Sequence, residues 1–342
     1  MERTKRILII VDPQTPVPPP KYGGTERMAD ILAEGLSERG YIVDLLAGKN
    51  SKTYSGRTFF HGTPGRSFPS RAFTKIIFQF KSLWISRRSD VVINFGRIDY
   101  LIGILKLTDK KIVCRFDCPI DQEQVDWLEA RRVSNMFFVG ISRSQVSTLI
   151  QKKNFTIIYN CVDIKKYQYH SEPGDYLVFL GILSYNKGAD IAIKAAIQAN
   201  IKIKVAGKIP DDLFNNSYFI SYIKPLLTHP LVEYIGLVND EEKNHLLGHA
   251  ACTLFPIRKA EAFGLVMVES LACGTPIIAP NVFSIPEIII DGFNGYIYNE
   301  EEEIVSLVGK LEKINRAECR RDVGIRFGRE QFIEEHERTL NR

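Results

Sequence analysis

Strand-like and helix-like segments alternate along nearly the whole chain, and this alternation constrains the fold more than any other feature. Short runs rich in Ile, Val, Leu and Phe have the length of buried strands, and segments of helical periodicity separate them. Such runs lie at residues 6–12, 41–47, 90–95, 111–116 and 136–142, and again at 175–183, 201–207, 232–237, 251–257 and 275–280. Strands that alternate with helices form parallel sheets covered by helices, so the sequence predicts an α/β fold.

The length of 342 residues and a polar segment near the middle predict two domains. Residues 161–176 are polar and contain Pro173-Gly174, so we interpret them as a linker. The predicted parts are a first Rossmann-like domain at 1–160, a second at 177–328, and a C-terminal helix at 329–342 with Phe332 and Ile333 as anchors. Two doubly wound domains of this kind would face a central cleft with the carboxyl ends of both sheets.

The composition narrows the class of protein. With 45% apolar and 25% charged residues, the chain has the make-up of a globular protein. We find neither an apolar run of membrane-spanning length nor a signal peptide, and the scattered cysteines favour free thiols, so we expect a cytoplasmic location. The net charge of +5 fits a small anionic ligand or an acidic membrane surface and does not require nucleic acid.

Residues 261–279 contain the strongest candidate site. Glu261 and Glu269 lie eight positions apart, and an apolar run follows Gly264. The pattern predicts a helix that starts near Gly264 and ends at Gly274, with Glu269 about one and a half turns inside it. A helix start presents backbone N–H groups to an anion, and two carboxylates beside it can accept hydrogen bonds from hydroxyls. Phosphates and a polyol in one ligand describe a nucleotide sugar.

This segment, with Glu-x-Phe-Gly-Leu at its start and Cys-Gly-Thr-Pro at its end, resembles the Glu-x7-Glu block of retaining glycosyltransferase family 4. The resemblance covers most of the chain and is stronger after about residue 155. It implies the GT-B fold, a C-terminal helix that crosses back onto the first domain, and a retaining hexosyltransferase that needs no metal or other cofactor. The donor would be a UDP- or GDP-sugar, and the acceptor a hydroxyl of a glycan or of a lipid-linked molecule.

The resemblance also implies roles for residues of the block. Glu261 and the backbone amides of Phe263, Gly264 and Leu265 would hold hydroxyls of the transferred sugar, and Glu269 would hold the ribose. An ordinary amphipathic helix with a surface Glu at each end is the alternative. We assign Glu261 as a candidate catalytic residue and the other four as donor-binding residues.

Two further segments complete the predicted donor site. Gly23 and Gly24 follow the first strand, and their loop could bring its backbone close to phosphate or sugar, although a plain turn between strand and helix is the alternative. Lys187, in Asn186-Lys187-Gly188, stands at a predicted helix start as a cation for the diphosphate, where it would have both a binding and a catalytic role. A solvated lysine is the alternative there.

The chain departs from the family pattern at several positions. Ile182 stands where the family usually has an Arg for the phosphates, and we name Arg258 and Lys259 as nearby replacements. Asp117 stands where a His often contacts the donor sugar, and we assign it as a candidate catalytic residue, with a turn or helix cap as the alternative. A second frequent His is absent from residues 94–97.

These departures keep a second function open, namely a degenerate family member that binds a nucleotide sugar or a glycan without transferring it. Other enzyme classes fit less well. A dehydrogenase would need a Gly-x-Gly-x-x-Gly turn, and a serine hydrolase would need a nucleophile elbow, and we find neither.

Residues 71–88 predict a helix with one apolar stripe and several basic side chains. The stripe consists of Phe73, Ile76, Ile77, Phe80 and Trp84, and the basic residues are Arg71, Lys75, Lys81, Arg87 and Arg88. Since a doubly wound domain needs helices packed on its sheet, we expect the stripe to be buried against the sheet. The alternative is peripheral contact with the inner face of a membrane.

Overall fold

The structure is a computed structural model that describes residues 4–20, 23–60, 68–118, 120, 122–130, 135–147, 149, 154–259 and 261–342. The chain divides into two compact units. The first unit consists of Met1–Asn160 and Glu330–Arg342, and the second of Cys161–Arg329.

The first unit is built on a seven-stranded parallel sheet with the order β3-β2-β1-β4-β5-β6-β7. Its strands are β1 Arg6–Ile10, β2 Ile42–Ala47, β3 Thr58–Phe60, β4 Val91–Asn94, β5 Lys111–Phe116, β6 Met136–Gly140 and β7 Phe155–Ile157. The central strands are buried on both faces, with Leu8, Val92 and Phe138 almost fully excluded from solvent. The strand order reverses between β1 and β4, which marks the point where ligands bind in doubly wound sheets.

Helices cover this sheet, as the alternating pattern predicts. They are α1 Gly24–Glu38, α2 Phe68–Ser86, α3 Ile102–Leu107, α4 Gln122–Glu129 and α5 Arg143–Ser147. The first helix follows Gly23 and begins at Gly24. Its buried face includes Met28, Leu32 and Leu36, which are spaced four residues apart, as expected for an amphipathic helix.

The second unit repeats the arrangement with a six-stranded parallel sheet in the order β10-β9-β8-β11-β12-β13. Its strands are β8 Tyr176–Leu180, β9 Lys202–Ala206, β10 Val232–Gly236, β11 Cys252–Leu254, β12 Ile277–Pro280 and β13 Gly295–Tyr298. Its helices are α6 Ala189–Gln198, α7 Leu213–Tyr218, α8 Asp240–Gly248, α9 Leu265–Ala272, α10 Ile285–Ile288, α11 Glu303–Val308 and α12 Arg316–Arg326. Both units therefore have the predicted doubly wound α/β architecture.

The C-terminal helix, α13 Arg329–Asn341, packs on the first unit. Its predicted anchors Phe332 and Ile333 are buried. Glu337 accepts a hydrogen bond of 2.6 Å from the Arg39 guanidinium and one of 2.9 Å from the Tyr41 hydroxyl. The last helix of the chain thus covers the unit that contains the first strand.

The segment that we interpret as a linker, residues 161–176, lies in the second unit. The Arg320 guanidinium donates hydrogen bonds of 2.9 Å to the carbonyl oxygens of Ile164 and Tyr167. These bonds attach the segment to α12.

The expected burial of the α2 stripe is wrong for the residues that can be described. Phe80 is 69% exposed and Trp84 51% exposed, and Ile76 and Ile77 are also exposed. The helix instead buries Phe78, Ser82 and Ile85, because it carries apolar side chains on two faces and the sheet covers one of them. The side chains of Arg71 and Phe73 lie outside the described part of the chain. No helix of the described residues combines the length and apolar character needed to cross a membrane.

Candidate functional site

The helix predicted within residues 261–279 is present as α9. It begins after Gly264, whose φ of 90° lies in the left-handed region that favours glycine, and it is followed by Gly274 with φ of 86°. A Cβ on Gly264 would lie 2.7 Å from Cε of Met267, so a larger residue would be both strained and crowded there. Glu269 is the fifth residue of the helix, as predicted.

Glu269 is a buried carboxylate and not a surface residue, because only 6% of the residue is exposed. Its Oε1 accepts a 2.8 Å hydrogen bond from the Tyr167 hydroxyl and a 2.6 Å hydrogen bond from Nζ of Lys243. Lys243 lies on α8 and is itself buried. The alternative of an ordinary helix with a surface Glu at each end is therefore wrong for Glu269.

Lys243 is a site residue that the sequence does not reveal. It follows Glu241-Glu242 in a polar helical segment, which is the usual pattern of a solvated lysine. Its partner Glu269 is on another helix, and no local signal connects the two.

Lys187 and Glu261, which we assign separately from the sequence, lie together in the second unit. Nζ of Lys187 and Oε2 of Glu261 form a close ion pair, and about a quarter of each side chain is exposed. Lys187 ends the 3-10 turn Tyr185–Lys187 after β8, and Glu261 lies in the loop before α9. The Ser284 hydroxyl fixes this loop, because it donates to the carbonyl oxygens of Glu261 (2.9 Å) and Phe263 (3.1 Å).

Gly188 makes the position of Lys187 possible. Its φ of 69° lies in the left-handed region, and a Cβ there would stand 2.0 Å from the carbonyl oxygen of Pro256. Only glycine satisfies both conditions, so the Lys-Gly pair fixes the turn that aims Lys187 toward Glu261.

Arg258, one of the two replacements that we name for the missing Arg, lies beside the Lys187 loop. Its backbone N–H donates to the carbonyl oxygen of Asn186 (2.9 Å), but its guanidinium binds both carboxylate oxygens of Asp190 at 2.8 Å. Burial alone would lower the pKa of Arg258, but the Asp190 carboxylate outweighs this and raises it. The other candidate, Lys259, is exposed.

Lys208 is a further cation near the Ile182 position. The Leu183 backbone N–H donates to the Lys208 carbonyl oxygen (2.9 Å), and the Lys208 side chain pairs with Asp211. Its position in the sequence could have identified it, because Lys208 comes two residues after β9. The carboxyl end of β9 lies next to that of β8.

Lys187, Lys208 and Arg258 therefore follow three adjacent strands, β8, β9 and β11, at the same edge of the second sheet. Each pairs with a carboxylate, which is Glu261, Asp211 or Asp190. Such an edge can bind an anion if the anion displaces one of these carboxylates.

In the first unit, Gly23 is the N-cap of α1 and makes no side-chain capping bond. Gly24 is the first residue of the helix, and Lys21 and Tyr22 lie outside the described residues. The Gly-Gly pair thus stands at the start of a helix of 15 residues, where backbone N–H groups face outward.

Asp117 follows β5 and pairs with Arg115, whose Nε lies 3.0 Å from Oδ1. Burial raises the pKa of Asp117, and the Arg115 charge and the Thr25 hydroxyl oppose this rise. The Asp117 side chain thus pairs with a cation of the strand that precedes it.

Asp212 caps α7 by accepting a 3.0 Å hydrogen bond from the Asn215 backbone N–H. Within the described ranges, no group of three or more His, Cys, Asp or Glu side chains is placed to share a metal ion.

Comparisons with known proteins concern the family and the fold. Residues 163–331 match the family model of glycosyl transferases group 1. An uncharacterized glycosyltransferase of Methanocaldococcus jannaschii is 32% identical over 175 residues, which is 51% of this chain and 47% of the relative. The chain spans about half the length of the curated relatives it matches.

Solved structures resemble the chain over nearly its full length. HepE of Anabaena, in complex with UDP and glucose, has a TM-score of 0.76 at 17% identity and covers 98% of this chain and 99% of its own. Sucrose-phosphate synthase of Thermosynechococcus elongatus has a TM-score of 0.79 at 16% identity. The match covers 99% of this chain and 98% of the synthase chain. At these identities the likeness concerns the fold, and it confirms the predicted GT-B class.

Proposed function

Residues 163–331 belong to glycosyl transferases group 1, and from this premise we propose that the chain is a hexosyltransferase. It moves a sugar from a nucleotide-diphosphate donor to a hydroxyl of a glycan or lipid-linked acceptor. The observation that carries the proposal is the Lys187–Glu261 pair, because it brings together the two motifs assigned to the phosphate and to the sugar. We place the chain in the retaining family 4 on the same Glu-x7-Glu block.

In this proposal the diphosphate binds at the edge of the second sheet where Lys187, Lys208 and Arg258 lie. Lys187 binds the β-phosphate and gives up Glu261 as it does so, since both carboxylate and phosphate compete for the same ammonium. Backbone N–H groups at the start of α9, at Gly264 and Leu265, add partial positive charge. The Lys187 turn, which Gly188 fixes, then stabilises the negative charge that grows on the leaving group.

Glu261, once released from Lys187, accepts hydrogen bonds from hydroxyls of the transferred sugar, together with the Phe263 amide. Glu269 accepts a hydrogen bond from the ribose through Oε2, while Lys243 and Tyr167 hold Oε1. The two hydrogen bonds to Glu269 support this role, because they fix the orientation of the buried carboxylate before the ligand binds.

The reaction retains the anomeric configuration and uses neither metal nor other cofactor. The leaving diphosphate takes the proton of the acceptor hydroxyl on the same face of the sugar, so the protein must orient the reactants and stabilise charge. Gly23 and Gly24 in the first unit contribute backbone contacts to the donor, and Asp117 contacts the sugar. The donor is a UDP- or GDP-sugar, and UDP-glucose is the first to test because the HepE structures hold UDP with glucose.

A second proposal concerns where the enzyme acts, which we place in the cytoplasm. The exposed stripe of α2 (Ile76, Ile77, Phe80 and Trp84) supports peripheral contact with a membrane that carries a lipid-linked acceptor. Arg88 lies 4.7 Å over the Trp84 ring, and Lys81 is exposed on the same helix. Aromatic side chains flanked by cations suit the headgroup region of anionic lipids.

The competing function is binding of a nucleotide sugar or a glycan without transfer, and one observation favours it. Lys187, Lys208 and Arg258 each have a carboxylate partner, and Ile182 supplies no further charge for the phosphates. A transfer assay decides between them. With each nucleotide sugar and cell-extract glycans as acceptors, the anomeric proton signal of the product should show transfer with the configuration of the donor. Donor binding without a new glycosidic signal would favour the binding-only function.

A further inference from the structure

The turn that carries Lys187 is short, and its own hydrogen bonds are long. It is the 3-10 turn Tyr185–Lys187. The N–H groups of Lys187 and Gly188 donate to the carbonyl oxygens of Ser184 and Tyr185 over 3.2–3.3 Å, at the upper end of the usual range. A single 3-10 turn with such bonds is a weak element. Contacts from outside the turn are therefore needed to hold the lysine in one place.

Arg258 supplies contacts of this kind. Its backbone N–H donates a 2.9 Å hydrogen bond to the Asn186 carbonyl oxygen, and its Nη1 donates a 3.1 Å hydrogen bond to the Tyr185 carbonyl oxygen. Its guanidinium also lies over the Tyr185 ring, with Cζ 4.7 Å from the ring centroid. One side chain and its backbone thus hold both residues that precede Lys187.

Asp190 fixes the Arg258 guanidinium in turn. It lies in the first turn of α6, and its two carboxylate oxygens accept hydrogen bonds of 2.8 Å from Nη1 and Nη2 of Arg258. The Tyr218 hydroxyl accepts a 3.0 Å hydrogen bond from Nη1 of Arg258 and donates one to Asp190. Burial would raise the pKa of Asp190, but the hydrogen bonds from Arg258 and Tyr218 outweigh it and lower this pKa. An ionised carboxylate therefore ties the guanidinium to the helix that begins directly after Gly188.

The Arg258–Asp190 pair is more deeply buried than the Lys187–Glu261 pair. The Asp190 side chain is 5% exposed, whereas that of Glu261 is 24% exposed. A phosphate that took Lys187 from Glu261 would leave this carboxylate accessible to water and to sugar hydroxyls. A phosphate that took Arg258 from Asp190 would leave a buried carboxylate without its cation, which is strongly unfavourable. Arg258 therefore keeps Asp190 as its partner when an anion binds at this edge.

We propose that Arg258, held by Asp190, is a positioning residue that presents Lys187 to the diphosphate and does not itself contact the phosphates. The identity of the ligand rests on the proposed function, whereas the clamp on the Lys187 turn is a property of the unliganded protein. This role differs from that of a replacement phosphate ligand at the Ile182 position, for which the sequence makes Arg258 a candidate. Precise placement matters because a small displacement of a charge-stabilising group is costly for binding and for turnover.

The first measurement is amide hydrogen exchange of the full chain without ligand. Arg258→Met keeps a long unbranched side chain without donors, and Arg258→Lys keeps the charge without the planar fork. In both variants the amides of Lys187 and Gly188 should exchange about ten-fold faster or more. Arg326→Met is the matched control, because Arg326 also binds a carboxylate, that of Asp322, and two backbone carbonyl oxygens of the second unit. It should leave exchange at Lys187 and Gly188 as in wild type.

Calorimetric titration with UDP and with GDP measures the consequence for the ligand. Arg258→Lys should weaken binding of the nucleotide diphosphate about five-fold or more. In a Lys187→Ala background the same change should weaken it less than about two-fold further, because the effect passes through Lys187. Asp190→Asn should also weaken binding, since it loosens the guanidinium. A direct contact of Arg258 with phosphate predicts the opposite in each case: binding retained in Arg258→Lys, a full further loss without Lys187, and tighter binding in Asp190→Asn.

Unchanged exchange at Lys187 and Gly188 in both Arg258 variants would overturn the proposal, and so would any of the three results that direct contact predicts. Faster exchange in these variants, with no nucleotide diphosphate bound by wild type, would leave the clamp standing and the proposed function would fail. Turnover that depends on Lys187 but is unchanged in Arg258→Lys would overturn the positioning role and leave the proposed function standing. Thermal melts identify an Arg258 variant that fails to fold, and Asp190→Asn then decides by the same two measurements.

Discussion

Lys187 and Glu261 form an ion pair although 74 positions separate them in the chain. The contact joins the turn after β8 to the loop before α9, and it places the cation assigned to the phosphate against the carboxylate assigned to the sugar. Because an ammonium cannot hold phosphate and carboxylate equally well at once, donor binding should exchange one partner for the other. Phosphate capture by Lys187 would thereby release Glu261 toward the sugar hydroxyls.

This exchange predicts opposite effects on nucleotide binding. Glu261→Gln should cut turnover by about 100-fold or more, while UDP or GDP binds as well as to wild type or somewhat better, because the competing carboxylate is gone. Lys187→Ala should weaken nucleotide binding about 10-fold and reduce turnover as well. Calorimetric titration and steady-state kinetics measure both. Lys202→Ala, an exposed lysine paired with Asp175, is the control. Small and equal effects of the first two changes would contradict the assigned roles.

The buried pair of Lys243 and Glu269 makes a prediction for stability. Lys243→Met leaves the Glu269 carboxylate buried beside Tyr167 without its cation, and we expect the second unit to lose about 3 kcal/mol of unfolding free energy. Adding Glu269→Gln should recover part of this loss, since the unpaired charge disappears. Urea unfolding followed by fluorescence and circular dichroism measures both variants. If Lys243→Met were as stable as wild type, Lys243 would not neutralise the Glu269 carboxylate.

His336 predicts a dependence of stability on pH. Burial, and then the Arg115 charge, lower its pKa to about 3, against an ordinary value near 6.5. The unfolded chain therefore binds a proton that the folded chain does not, and stability falls as the pH drops from 6.5 toward 3. Between pH 7.5 and pH 5 this single group should remove about 2 kcal/mol. His336→Gln should lose about that much less stability than wild type over the same interval, and equal losses would contradict the assignment.

The exposed face of α2 predicts selective binding to anionic vesicles. The protein should sediment with vesicles of phosphatidylcholine and phosphatidylglycerol at least five-fold more than with phosphatidylcholine alone, and added salt should reduce the difference. Phe80→Ser with Trp84→Ser should abolish sedimentation. Ile220→Ser with Tyr222→Ser removes exposed apolar groups from the second unit and is the control. If both double variants sediment like wild type, α2 is not the contact surface.

The sequence predicts the central strands of both sheets and misses three of the four edge strands. All ten predicted runs contain strands, because a strand buried on both faces must be apolar throughout, and the remaining one, the edge strand β10, is apolar enough to be predicted although it is largely exposed. The three strands without a prediction, β3, β7 and β13, all lie at the edge of a sheet. They have three or four residues, and β3 and β7 are only partly buried, so their apolar signal is weak.

In the candidate site, too, the sequence identifies residues whose position has a local cause and misses residues whose partners are distant in the chain. Residues with a local reason for their position, such as Gly264 and Gly188, stand where backbone geometry demands glycine, and the sequence identifies them. Lys243 gains its importance from its partner Glu269 on another helix. The prediction for the α2 stripe is wrong because periodicity shows that a face is apolar but not what covers it.

If the proposed function is right, the protein consumes a nucleotide-diphosphate sugar through Glu261 and Lys187. The decisive measurement is the release of nucleotide diphosphate from a panel of UDP-, GDP-, ADP- and dTDP-sugars, followed by NMR with cell-extract glycans as acceptors. We predict release from one donor by wild type and a loss of about 100-fold or more in Glu261→Gln. Release from no donor, or equal release by Glu261→Gln, would contradict the claim.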